Sequence, residues 1–147
     1  MNAYYVISID VDRNALKILE KNIKTLDLDH VIFPINADIE SIEISTRNIP
    51  ESVKITTIMN PPFGVQKKAA DRPFLAKAFS FSDVVYSIHL EGEKIQNFIT
   101  NYIKKFNWKI DNILPFTLLL EKSFKFHTQK TRKIDVSVYR FIKKEKK

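Results

Sequence analysis

Apolar positions along the chain recur with two different periods, and their alternation predicts the order of elements. Tyr4 to Ile9 is an apolar, β-branched run that stops at Asp10 and reads as a buried parallel strand. Asp12 can cap the helix that follows, in which Leu16, Leu19, Ile23 and Leu26 recur at spacings of three, four and three. Val31 to Ile35 predicts a second short strand leading into Asn36-Ala37-Asp38. A polar stretch with Pro50 separates it from a strand over Lys54 to Met59, which breaks at Asn60-Pro61-Pro62-Phe63. Asp71-Arg72-Pro73 opens another helix, with proline early, where its missing N–H does no harm. Asp83 to Ile88 is a further strand. Ile95, Phe98, Ile99, Tyr102, Ile103 and Phe106 then mark the clearest amphipathic helix.

After Trp108 two strands are expected, Ile110 to Leu120 and Lys133 to Ile142. In the second, Ile134, Val136 and Val138 alternate with Lys133, Asp135 and Ser137, so one face is solvated. Strands alternating with helices imply a mostly parallel α/β sheet, and the last pair implies an antiparallel finish. Tyr86, Trp108 and the helix aromatics are expected to fill the core.

Composition bounds this picture. A chain of 147 residues with 44% hydrophobic content can bury one core, so residues 1–147 are read as a single domain. Without cysteine there is neither a disulfide framework nor a Cys-based zinc site, and His30, His89 and His127 lack metal-ligand spacing. No long apolar segment or signal-peptide pattern occurs, so the expected location is cytoplasmic. The net charge of +7 is concentrated at the C-terminal end, where residues 122–147 hold ten Lys/Arg against Asp135 and Glu145. Lys143 to Lys147 reads as a disordered, solvating basic tail. Between Lys122 and Lys133, by contrast, Phe124, Phe126 and His127 interleave with Lys125, Lys130 and Arg132, a composition suited to phosphates and bases.

The chemistry centres on Asn60-Pro61-Pro62-Phe63. Two prolines stiffen a loop whose carbonyls are free, the Asn amide both donates and accepts, and Phe63 offers a flat face. Such a loop could grip a planar exocyclic amine and stack the ring that carries it, as methylation of an adenine amine requires. An ordinary turn is the alternative, since Asn-Pro and Pro-Pro are common in loops. The position at the end of a β-branched strand is where open α/β sheets place ligands. Asp10, at the end of its strand, could accept both ribose hydroxyls of an adenosine cofactor. Asp38 could accept from that cofactor's adenine amine, or could be a plain turn residue. His89, beside Ser87, reads as a structural histidine because amine methylation does not demand a base.

The chain resembles the archaeal and eukaryotic methyltransferase-like protein 5 family. The resemblance rests on Ile9-Asp10-Val11-Asp12 with Ala15-Leu16 and Asn22, on Ala37-Asp38, and on Ile58 to Gly64. It continues through Asp71 to Leu75, Val85-Tyr86-Ser87-Ile88-His89, and Phe124-Lys125-Phe126-His127 with the strand to Phe141. It implies a Rossmann-like class I methyltransferase that uses S-adenosylmethionine to make N6-methyladenosine in small-subunit ribosomal RNA. Asn60 and the Pro61 carbonyl would hold the amine, with Pro62 stiffening the loop and Phe63 stacking the base. Asp10 with Val11, Asp38 with Ile39, and Asn60 would bind the cofactor. Lys67, Lys68, Arg72, Lys125, His127 and Lys130 would guide a flipped-out adenosine in. The family also implies a small zinc-binding activator subunit, adding a strand at the edge Val31–Ile35.

One departure is plain. The family's first strand and helix, with their glycine-rich loop, have no counterpart here, since the only glycines are Gly64 and Gly92. Roughly fifty residues of the family pattern are absent ahead of Tyr4, judged by a βαβ unit with a leading helix. A methyltransferase domain truncated at its N-terminus is therefore expected, without the backbone that approaches the cofactor's methionine portion, which puts the activity of the chain as written in doubt. The alternatives are a DNA adenine or protein glutamine methyltransferase, and an inactive RNA- or partner-binding remnant.

Overall fold

The structure, a computed structural model, describes residues 3–62, 70–121 and 131–145. The chain divides into two compact units, residues 1–44 and 45–147.

The first unit is one βαβ turn. Strand β1 (Val6–Asp10) and strand β2 (Ile32–Asn36) pair in parallel, Val6 level with Ile32 and Asp10 level with Asn36. Helix α1 (Arg13–Thr25) connects them. Its first turn is capped as expected, with Asn14 N–H donating to the Asp12 carboxylate at 2.8 Å. Leu16 and Ile23 are buried, but Leu26, expected on the same stripe, is the C-cap and is 65% exposed. The helix ends in a Schellman-type turn: Leu28 N–H donates to Ile23 O at 2.9 Å, and Asp27 takes the left-handed φ of +55°. Pro34 is tolerated because β2, among the described residues, has a partner on one side only.

The second unit holds a four-stranded sheet in the order β3-β4-β6-β5, with β3 at Thr56–Met59, β4 at Val84–Leu90, β5 at Trp108–Glu121 and β6 at Thr131–Lys143. The β3–β4 ladder is parallel, and β6 runs antiparallel to both β4 and β5. The protein is thus α/β, with parallel ladders and an antiparallel C-terminal pair. That pair is longer than the hydrophobic pattern predicts, because main-chain pairing continues past Lys133 through Arg132 and Thr131, where alternation has ceased. Lys143, expected in a loose tail, belongs to β6, and Lys144 N–H donates to Asn107 O at 3.0 Å.

Helix α2 (Arg72–Phe81) and helix α3 (Glu93–Ile103) supply the apolar side chains that meet one face of this sheet. Leu75, Val85, Ile99 and Phe141 are fully buried there. Phe79 stacks on Trp108 at 4.8 Å and meets Phe141 edge-on at 5.3 Å. Tyr86, expected in the core, is on the opposite face, because Val85 and Ser87 take the inward positions and the strand period is two. Its hydroxyl accepts from Arg140 Nε at 3.1 Å, and Arg140 in turn pairs with Asp111 at the register shift of β5. Gly92, the N-cap of α3, has φ of +149°, a conformation that a side chain would strain.

The turn into β4 is held by Asp83. Its carboxylate accepts from Ile55 N–H at 2.9 Å and from the Lys143 ammonium at 3.4 Å, so β3, β4 and β6 are tied at one end. Partial burial pushes this carboxyl upward, but the Ile55 N–H and the Lys143 charge outweigh it and leave the pKa below the usual value. Among the described residues no helix is long and apolar enough to cross a membrane.

Candidate functional site

In the first unit, Asp10, Val11, Asp38 and Ile39 collect at the carboxyl ends of two parallel strands, the edge at which open α/β sheets bind ligands. Local hydrogen bonding fixes both acids. Asp12 N–H donates to Asp10 Oδ1 at 2.8 Å, and Glu40 N–H donates to Asp38 Oδ1 at 2.9 Å. Each carboxylate is exposed and uses one oxygen in its turn, so each is oriented while it keeps capacity to accept from a ligand. A pocket of about 200 Å³ lies beside Asp10, lined by Ser8, Ile9, Asp10, Ala15, Leu16 and Leu19. One wall is therefore apolar and the rim is acidic.

Asn36 matters here more than its place in a turn suggested. Its Nδ2 donates to the carbonyls of Asp10 and Val11, each at 3.0 Å, and its Oδ1 accepts from Arg13 Nε at 3.0 Å. One amide thus ties the end of β1, the start of α1 and the end of β2. The sequence shows only an Asn closing a strand directly before Ala37-Asp38, which carries no sign of these partners.

In the second unit, Asn60-Pro61-Pro62 leaves the carboxyl end of β3. Asn60 is exposed, Pro61 is fully buried and Pro62 is exposed again. Burial of a ring with fixed φ holds the loop's root, and the exposed Asn60 amide lies directly before it in the chain. Phe63, Lys67, Lys68, Lys125, His127 and Lys130 lie outside the described residues. Arg72 is described, and its guanidinium rests over the Phe98 ring at 4.9 Å and near the Tyr102 ring at 5.9 Å. Tyr102 Oη also donates to Arg72 O at 3.3 Å.

Beside that loop is a buried polar group. Ser87 Oγ lies 2.8 Å from His89 Nε2, and His89 Nδ1 lies 3.6 Å from Asp71 Oδ2. All three residues are buried, and the Tyr139 ring meets His89 edge-on at 5.5 Å. Burial pushes the His89 pKa down to about 4 and raises that of Asp71. At neutral pH the imidazole is therefore uncharged. The tautomer with its proton on Nδ1, toward the Asp71 carboxylate, is the one that lets Nε2 accept from Ser87. His89 is the structural histidine that was expected, but its link to Asp71 was not foreseen.

No protein-family profile matches the chain. A protein of unassigned function from Methanocaldococcus jannaschii is 32% identical over 97% of this chain and 65% of its own length. The rRNA N(6)-adenosine-methyltransferase METTL5 of Danio rerio is 28% identical over 96% of this chain and 66% of its length. A crystal structure of a candidate RNA methyltransferase from Pyrococcus horikoshii superposes with a TM-score of 0.80 at 35% identity, covering 97% of this chain and 65% of that one. The fold is thus the Rossmann-like methyltransferase fold. The chain spans about two thirds of the length of these relatives.

Proposed function

We infer that the chain belongs with the METTL5 rRNA adenosine methyltransferases and carries the target-amine loop and the cofactor acids of an S-adenosylmethionine-dependent N6-adenine methyltransferase. The observation that carries this reading is the placement of Asn60-Pro61-Pro62 at the carboxyl end of a parallel strand, rooted by a buried Pro61.

The residues fit the cofactor's chemistry. Exposed Asp10 ends β1 beside an apolar-walled pocket, a suitable place for a ribose whose hydroxyls donate to a carboxylate. Asp38 accepts from the cofactor's adenine amine, and Val11 and Ile39 flank the two acids. The bound cofactor would supply an electrophilic methyl on a positively charged sulfur. The chain's part is orientation. The Asn60 side chain and the Pro61 carbonyl accept from the target N6–H₂, which turns its lone pair toward that methyl. Phe63 stacks the base. Because the proton leaves after transfer, no titrating base is needed at the amine.

The basic, aromatic segment Lys122–Lys133 and the lysines after the tetrad supply the phosphate contacts for ribosomal RNA. The outer edge of β2 is where a zinc-binding activator subunit would add a strand, although Pro34 removes one donor from that strand.

Calorimetry with S-adenosylmethionine, on the 147-residue chain and on the chain with its natural flanking sequence, tests the cofactor site. Binding by at least one form is expected, abolished by Asp10→Ala. Methyl incorporation into ribosomal RNA, duplex DNA and a glutamine-bearing protein then tests the acceptor. Labelling of RNA alone is expected, whereas labelling of DNA or protein in its place would overturn the reading.

A further inference from the structure

We propose that Ser87, His89 and Asp71 form a buried polar strut that fixes the exit of the chain from β3 at Asn60 and its return at Asp71, and so act as positioning residues for the amine held by Asn60. The proposal rests on the methyltransferase reading only for the last step, the effect on transfer.

The geometry is local to three residues of β4. The β3–β4 register places Met59 level with Ser87, so the chain leaves β3 from a point set by Ser87's own backbone. Pro61, two residues beyond the end of that ladder, is fully buried. The chain returns at Asp71, the residue before α2. That residue makes no capping hydrogen bond with its side chain. Its carboxylate faces His89 Nδ1 instead, and His89 Nε2 is held by Ser87. Exit and return are thus referred to one strand segment, Ser87-Ile88-His89.

An Asp at a helix start that forgoes the cap costs the helix an ordinary contact, and a buried Ser and His are polar groups that must find partners. Ser87 and His89 hydrogen-bond each other, and the Asp71 carboxylate, which faces His89, also draws on the backbone N–H groups of Asp71 and Arg72. Core packing alone would be met more simply by apolar residues at these sites, whereas the Ser87–His89 hydrogen bond and the 3.6 Å approach of Asp71 fix distance and direction. The groups that face His89 are Asp71 from the start of α2, Ser87 from its own strand and Tyr139 from β6. A neutral ring is the state in which Nδ1 donates and Nε2 accepts, as the strut requires. Displacement of a substrate-positioning group by about 1 Å can cost on the order of a hundredfold in rate, so the strut's effect falls on turnover.

The test has two arms. In the 147-residue chain, nitrogen NMR of His89 should show a neutral Nδ1–H ring from pH 8 to 5, and a ring that titrates near 6.5 would overturn the strut. Ser87→Ala and Asp71→Ala should speed amide exchange at Asn60 and at Ala70 to Arg72 by about tenfold or more, leaving β1 amides unchanged. Asp71→Asn, which keeps an acceptor oxygen for Nδ1–H, should stay near the parent. Unchanged exchange at the two ends, or Asp71→Asn behaving like Asp71→Ala, would overturn the proposal.

In the chain with its natural flanking sequence, the two alanine variants should lower kcat roughly tenfold to a hundredfold with cofactor KM within about twofold. Looser ends with undiminished kcat would overturn the positioning role. Exchange effects as expected in a parent protein that transfers no methyl would count against the methyltransferase reading and in favour of the strut.

Discussion

At the scale of single residues, the roles proposed for the acids and the amide of the candidate site separate binding from chemistry, and two substitutions test them. Asn60 is exposed at the end of β3, so Asn60→Ala should leave S-adenosylmethionine affinity within about twofold while lowering methyl transfer by roughly a hundredfold or more, the usual effect of losing one positioned polar group. Asp10→Ala should show the reverse, weakening cofactor affinity by about tenfold, of the order expected for a charge-assisted hydrogen bond. Calorimetry and labelling on the same two variants check both, and an exchanged pattern would mean that the roles are misassigned. Asn36 supplies a third case. Its amide makes three hydrogen bonds across two strands and a helix, so Asn36→Ala should weaken cofactor binding without removing any cofactor contact. The placement of Asp10, Asp38 and Asn60 at or just past strand ends was legible because strand ends can be read from β-branched runs. Asn36 and Asp71 were not, because their value lies in partners 23 to 26 residues away in one case and in His89 on another element in the other.

Elements were legible where period and capping agreed. Asp12 was identified as a cap and is one, and the stripe of α3 puts Ile99 and Ile103 into the core. Ends were harder, as at α1. The apolar spacing runs through Leu26, but the backbone has already turned into the Schellman geometry, with Asp27 in the left-handed region. A residue with a Cβ is strained there, so Asp27→Gly should raise stability by a few tenths to about 1 kcal/mol, and Asp27→Val should lower it. The thermal midpoint reads both. If Asp27→Gly is neutral or destabilising, the Asp side chain contributes something that the turn alone does not reveal. The β5–β6 hairpin was under-read for a related reason, since edge pairing is made by backbone groups and extends beyond the side-chain alternation that announces it.

For the whole molecule, the ionisable groups buried or tied inside the second unit make stability depend on pH in a defined direction. The His89 pKa is about 4 in the folded chain, against an ordinary value of 6.5. The unfolded chain therefore takes up a proton first as pH falls. The contribution of His89 is fully present above 6.5 and is lost between 6.5 and about 4. Asp71 works against this. Burial raises its folded pKa, so its cost is present at neutral pH and is relieved on acidification. Asp83 acts lower still: its depressed carboxyl contributes above the ordinary Asp value, and this is lost as pH falls through the folded pKa. Tyr139, raised chiefly by burial, gives the alkaline limb, because the unfolded phenol ionises first as pH rises past 10.

The urea midpoint should hence fall from pH 7.5 to pH 5 in the parent chain, and fall again below pH 4. In His89→Gln the first fall should disappear while the second remains, since Asp83 and its partners Ile55 and Lys143 are untouched. A first fall that persists in His89→Gln would place the titrating group elsewhere, and would remove the neutral imidazole on which the link from Ser87 to Asp71 depends.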